Sequence, residues 1–283
     1  LEGDTVVYRF RRSWNRRVFG QPRIEHQKLS DYFHKEIDRD VENIGRNLGN
    51  KIADELGDLK NPDIQIPPDK MKAITEKILS KLSRETLNRI AEYSDKVFRD
   101  IRDELFSRYG FKISRETMEK YLVKDLVKRI LTIANDSLKE VNDESVDKLT
   151  TAMTTSVPAG EVDRIVDDMI DTSKSRYGEI SRTILGSLFN EANRRGYQLI
   201  EADLGLKPEE AKYVWVNPLD YRTTETCRKI FERTKEGVTM EELTKIVKEE
   251  SEKQFKGFWK EDNPLYPHYQ CRSTFHMKVV NEE

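Results

Sequence analysis

Over most of the chain apolar residues recur three or four positions apart, the spacing of one helix face. The first such stripe runs through Leu29, Phe33, Ile37, Val41, Ile44, Leu48, Ile52 and Leu56. Gly57, Asn61-Pro62 and Pro67-Pro68 then break the pattern. Pro68 suits the first position of a helix, where its missing N–H costs nothing. The next stripe passes through Met71, Ile74, Ile78, Leu82, Ile90, Val97, Ile101 and Leu105, with an end at Gly110. Ser114 has the character of a helix cap, and Leu122, Leu126, Ile130, Ile133 and Leu138 follow it at helical spacing. A shorter helix is expected over about 144–154. Pro158-Ala159-Gly160 interrupts, Val162, Ile165, Val166, Met169 and Ile170 form a further stripe, and a last long helix covers 175–204 before Gly205. Packing of helix on helix is the plain meaning of these stripes.

The pattern changes after Pro208. Lys212-Tyr-Val-Trp-Val-Asn217 is short, aromatic and β-branched, and reads as a strand. Residues 222–234 and 239–254 read as helices. Gly257, Pro264 and Pro267 punctuate a loop, and Cys271 to Val280 alternates as a final strand. The expected fold is mainly α, with long N-terminal helices forming a bundle or stalk and a small C-terminal α+β domain. The divisions fall at an arm of residues 1–24, a helical domain of 25–174 and an α+β domain of 175–283.

Charge refines this picture. Charged residues make up 36% of the 283 positions, which fits elongated helices with solvated faces. The 50 basic residues are balanced by 52 acidic ones, so attraction to nucleic acid needs a local patch. The arm supplies one: Arg9, Arg11, Arg12, Arg16, Arg17 and Arg23 are interleaved with Tyr8, Phe10, Trp14 and Phe19. Guanidinium forks suit phosphates and rings stack on bases. The same mixture also anchors to an acidic protein surface, and a flexible arm without a role is the bland alternative. No apolar run approaches the roughly 20 residues that span a bilayer. Two cysteines are too few for a secreted disulfide scaffold, which points to an intracellular origin.

Chemistry concentrates between Trp215 and Phe275. Trp215 precedes Asp220, Arg222 and Cys227; Pro267, His268, Cys271 and Arg272 come some way downstream. Two thiols and an imidazole can converge on a metal, zinc being the natural guest, with Asp220 or His276 as a fourth ligand. A disulfide between Cys227 and Cys271 and two reduced, packed thiols are the other readings. Asp220 suits a helix cap, or a pair with Arg222, Arg182 or Arg272. No Gly-x-Ser-x-Gly, Gly-Lys-Ser/Thr loop or His-Glu-x-x-His is present. His26 and His34 fall on the first helix, with solvent exposure the simplest account. Glu250 and Glu252 lie on a highly charged helix, so a solvated face is expected for them. The sequence therefore predicts no catalytic residues.

The segment Trp215-Val-Asn-Pro-Leu-Asp220-Tyr-Arg222, the Cys227 helix and Pro267-His268-Tyr-Gln-Cys271-Arg272 resemble the C-terminal domain of phage Mu protein F-like minor head proteins. Ser181-Arg182-Thr183 with Asn190, Arg194 and Gly196 is similar to the family's Arg-Thr helix. The resemblance covers about residues 175–280. The family often carries two cysteine pairs; here Thr224 and Ser273 stand at two of those positions, leaving Cys227, His268 and Cys271. The resemblance implies a virion protein present in a few copies, at the head interior or portal vertex and in the host cytoplasm during assembly. It implies the portal, other head proteins and viral DNA as partners, roles in head assembly, packaging or DNA delivery, and no enzymatic step. Two alternatives are a nucleic-acid-binding protein acting outside the virion and an ADP-ribosyltransferase-like toxin. The latter needs its own sheet, and the chain offers too few strands.

Overall fold

A computed structural model of the chain describes residues 65–109, 124–152 and 157–278, except Leu219 and Asp262, together with Lys35, Glu36, Arg39, Glu42 and Asn43. Those five residues are helical. The arm, the rest of the expected first helix with its two histidines, and the Ser114 cap lie outside the described residues.

The described chain is mostly helical, with a small two-stranded antiparallel sheet near the C-terminus. Three long helices form the body: α1 (Pro68–Tyr109), α2 (Lys124–Ala152) and α3 (Ala159–Leu204). Pro68 opens α1 as its geometry allows. Strand β1 (Gln65–Ile66) precedes α1, and β2 (Val157–Pro158) precedes α3. The two strands pair antiparallel and bring the starts of α1 and α3 together.

Two expected breaks do not occur. Residues around 140 belong to one continuous α2, and residues around 172 lie inside α3, which runs for 46 residues, about 70 Å at 1.5 Å per residue. Neither Lys139–Glu144 nor Asp171–Arg176 contains Gly or Pro. A polar run without a breaker is an exposed helix face, and Asp171, Thr172, Ser175 and Arg176 are exposed. The division expected at 174/175 thus falls within a continuous helix.

Where the side chains of the stripes are described, most are packed as their spacing requires. Ile90, Val97 and Ile101 of α1 are buried, with Leu79 and Phe98 beside them. Among the described side chains of α2, Ala134 and Leu138 are buried, whereas Ile133, assigned to the stripe by spacing, is half exposed. One turn of a 3.6-residue helix does not keep every third and fourth residue on a single line, and Ile133 falls off it. A polar clamp joins all three helices. Tyr177 of α3 donates its hydroxyl proton to Asn142 of α2 and bonds Ser83 of α1. Asn142 in turn donates to Ser83 at 2.8 Å. Burial pushes the Tyr177 hydroxyl up to about 12, so it remains a donor at any physiological pH.

Past Gly205, which ends α3 in the left-handed conformation at φ 63°, come β3 (Lys212–Val216), α4 (Glu225–Thr234), α5 (Met240–Gln254) and β4 (Thr274–Lys278). β3 pairs with β4 antiparallel, Trp215 opposite Phe275. Tyr213 through Val216 are all buried, because α4 and α5 pack against β3 while α3 packs against β4. Tyr197 of α3 lays its ring 5.8 Å from Tyr213 and 5.7 Å from Phe275. The C-terminal half of α3 therefore serves as the floor of the small sheet, while its N-terminal half packs with α1 and α2.

Among the described residues no helix is long and apolar enough to cross a membrane.

Candidate functional site

The C-terminal loop between α5 and β4 folds back over α3 and the start of α4. α4 begins at Thr224, whose side chain caps the helix by accepting from the Cys227 amide at 3.2 Å. Capping turns Cys227 inward, to 1% exposure. Across from it, Gln270 adopts φ 54°, a left-handed conformation unusual for a side-chain-bearing residue. That bend is held from α3: the Gln270 amide donates to Thr183 Oγ1 at 3.1 Å, and Arg182 Nε donates to Gln270 Oε1 at 2.9 Å. It delivers His268 on one side and Cys271 on the other to the Cys227 thiol.

The three side chains meet. Cys227 Sγ lies 3.1 Å from His268 Nε2 and 3.6 Å from Cys271 Sγ, both cysteines being free. All three ligand atoms fall within 4.8 Å of one another. His268 Nδ1 is 2.8 Å from the Tyr269 carbonyl. A carbonyl only accepts, so Nδ1 carries a proton, and the ring in its neutral form has its lone pair at Nε2. Thr224 Oγ1 borders the same nitrogen at 2.9 Å. Burial pushes the Cys227 thiol well above its ordinary range. Burial would raise Cys271 too, but the hydrogen bond from Cys227 and donors on Ser273 outweigh it and hold that thiol low. For His268, burial favours the neutral ring, and the Cys227 contact more than offsets it. Asp220 and His276, expected as fourth ligands, do not join this group among the described residues. His276 lies in β4 opposite Val214.

Asp220 has other work. Its carboxylate accepts from Arg272 Nη2 at 2.6 Å, from the Arg222 amide at 3.0 Å and from Thr223 Oγ1 at 3.3 Å. The second of these closes an Asx turn, so Asp220 shapes the approach to α4 while Thr224 caps it. Arg222 itself is exposed and sits 3.6 Å from Asp220, a weaker pair than Arg272 makes. Arg182, a candidate partner for Asp220 on sequence, instead reaches Gln270. The Arg272 side chain is 9% exposed and that of Asp220 29%. The guanidinium hydrogen bond holds the Asp220 carboxyl down at about 2.

A comparison of the chain with family models, curated proteins and solved structures finds no match in any of the three.

The candidate residues Thr183, Arg182, Asp220, Cys227, His268, Cys271 and Arg272 thus come together around one loop. Trp215 is a wholly buried core residue. Three contributors went unpredicted. Gln270 escapes because its φ has no sequence signature. Tyr266, fully buried, receives the Cys271 amide on its hydroxyl at 2.9 Å. Gly186 of α3 lies directly beneath the loop, and a glycine inside a helical pattern was the available signal, one that Gly178 and Gly196 share. Glu250, outside this loop, is a correction: it is buried and bound at 2.7 Å by both Arg233 and Lys253, not on a solvated face. The α4–α5 contact requires it, since Arg233 spans from one helix to the other.

Acid should weaken this site in a defined window. Asp220 is depressed in the folded chain, so its contribution is fully present above its ordinary range near pH 4 and fades as pH falls toward about 2. Asp220→Asn should cost about 1–2 kcal/mol at pH 6, less than the full shift because the carboxylate keeps contact with water. Urea midpoints measured from pH 6 to pH 2 should show the gap between the two proteins closing below pH 4. A gap of constant size would mean that the negative charge is not what Asp220 contributes.

Proposed function

We propose that this chain is a minor head protein of a tailed virus or provirus, of the phage Mu protein F-like kind. It binds near the portal vertex and acts in head assembly, genome packaging or DNA delivery. What supports the reading is one observation: the residues that carry the resemblance, spread from Arg182 to Arg272, make direct contacts around a single loop. Their contacts are ion pairs, caps and buried hydrogen bonds, the chemistry of a rigid end-piece, and no catalytic step is assigned to them.

The long helices are the shaft that sets this end-piece at a distance from the rest of the chain. Residues 1–24 are the grip, on the portal protein or on viral DNA, through Arg9, Arg11, Arg12, Arg16, Arg17 and Trp14. Other head proteins complete the set of partners. The protein is carried in the virion and resides in the host cytoplasm during assembly.

Co-expression with the portal protein of the same genome tests this. The full chain should co-elute with the portal oligomer, and a chain lacking residues 1–24 should not. Co-elution that survives the truncation rejects the role of the arm. Absence of the chain from purified DNA-filled particles rejects the virion reading as a whole.

A further inference from the structure

We propose that Cys227, His268 and Cys271 bind one zinc-class divalent ion, which staples the start of α4 to the C-terminal loop. Three features of the cluster point to it, and none depends on what the chain assembles with. The first is spacing. A tetrahedral zinc with two sulfurs and a nitrogen sets the sulfurs about 3.8 Å apart and sulfur and nitrogen about 3.6 Å apart. The observed sulfur–sulfur distance of 3.6 Å is close to the first edge, the 3.1 Å between Cys227 Sγ and His268 Nε2 is shorter than the second, and all three ligand atoms lie within 4.8 Å of one another, so side-chain shifts of about 1 Å admit the ion.

The second is the imidazole. The Tyr269 carbonyl holds the proton on Nδ1 and leaves Nε2 of the neutral ring, with its lone pair, facing the Cys227 sulfur. A ligating histidine is oriented in this way, its other nitrogen donating to a backbone carbonyl. The third is charge. The ion displaces one proton from each thiol to solvent and forms two metal–sulfur bonds and one metal–nitrogen bond. Two thiolates cancel a charge of two, so a neutral unit is buried and no isolated ion is left in the core.

The Thr224 hydroxyl, 2.9 Å from Nε2, borders the fourth position. The cluster is closed off, His268 being 6% exposed and both cysteines less. That enclosure suits a structural ion and not one that turns over a substrate. The ligand gaps of 41 and 44 residues make the staple long-range, tying a helix to a loop that the chain reaches only after α5.

The experiment uses the full chain, stripped of metal under reducing conditions and titrated with Co²⁺ and then Zn²⁺. One equivalent of Co²⁺ should give thiolate charge-transfer absorption in the near ultraviolet and the visible bands of a tetrahedral centre, and Zn²⁺ should displace it. Cys271→Ser should weaken binding about 100-fold by removing a charged ligand. Thr224→Cys places a third thiol at the fourth position and should tighten Zn²⁺ binding at least about tenfold in competition with a chromophoric chelator. That second variant gives a gain, so misfolding of the serine variant leaves the test intact. A folded full chain that takes up Co²⁺ without the thiolate band, or an affinity that Thr224→Cys leaves unchanged, overturns the proposal.

Discussion

Trp215→Ala should destabilise the protein by about 3–5 kcal/mol, read as a fall in the urea midpoint of far-ultraviolet circular dichroism. Trp215 is the largest side chain in the core, wholly buried and opposite Phe275 in the β3–β4 register. Its backbone amide donates to Thr234 Oγ1 of α4 at 3.0 Å, so the residue sits where the sheet meets that helix. Truncation opens a cavity between elements that are fixed on every side by α3, α4 and α5, and such a site relaxes poorly. The natural control is Trp215→Phe. The indole N–H is buried with no hydrogen-bond partner among the described residues, so phenylalanine removes an unsatisfied donor while keeping most of the ring volume. It should cost less than about 1.5 kcal/mol. A loss for Phe equal to that for Ala would show that the N–H, and not the volume, carries the stability.

The second large effect is expected from a residue with no side chain at all. Gly186 lies mid-helix in α3, where a glycine is worse than alanine by about 1 kcal/mol on propensity alone. On that ground alanine there would stabilise the chain. The tertiary contact reverses the sign. A Cβ at 186 would stand 2.8 Å from the Cys271 carbonyl oxygen and 2.9 Å from the Tyr266 ring. The first is backbone and the second belongs to a fully buried ring whose hydroxyl is bonded to the Cys271 amide, so neither yields cheaply. Gly186→Val should cost about 3 kcal/mol or somewhat more, since it adds two further methyls and forfeits the propensity gain. Gly186→Ala should fall between that and the wild type, and both should raise the reactivity of the Cys271 thiol toward alkylation by lifting the loop from the helix. A stabilised alanine variant would mean that the loop does not lie on α3.

Both predictions concern the contact of loop, sheet and helix, which is also where sequence reasoning was least informative. The helical stripes were legible because a helix repeats every 3.6 residues and a buried face must follow that period; Ile90, Val97, Ile101 and Leu138 are buried accordingly. β3, α4 and α5 were legible for a related reason, as Pro218 follows β3 closely and Thr224 and Thr239 cap the starts of α4 and α5. Helix continuity was not, because a charged stretch and a break look alike unless Gly or Pro decides between them.

Local pattern therefore determined the helical character of the long segments, the strands β3 and β4, and where α1 begins and α3 ends, but not the short strands β1 and β2 or the continuity of α2 and α3. It also determined that two thiols and one imidazole exist at intervals that let them meet. Only the tertiary structure decided that they do meet, that Arg272 and not Arg182 takes Asp220, and that Glu250 is buried. The reason is one of range. Periodicity and capping act within a turn or two of chain, and their energies are expressed in the neighbouring residues. The pairing of Asp220 with Arg272 and of Cys227 with Cys271 spans 52 and 44 positions, and depends on where α3 carries the backbone in between.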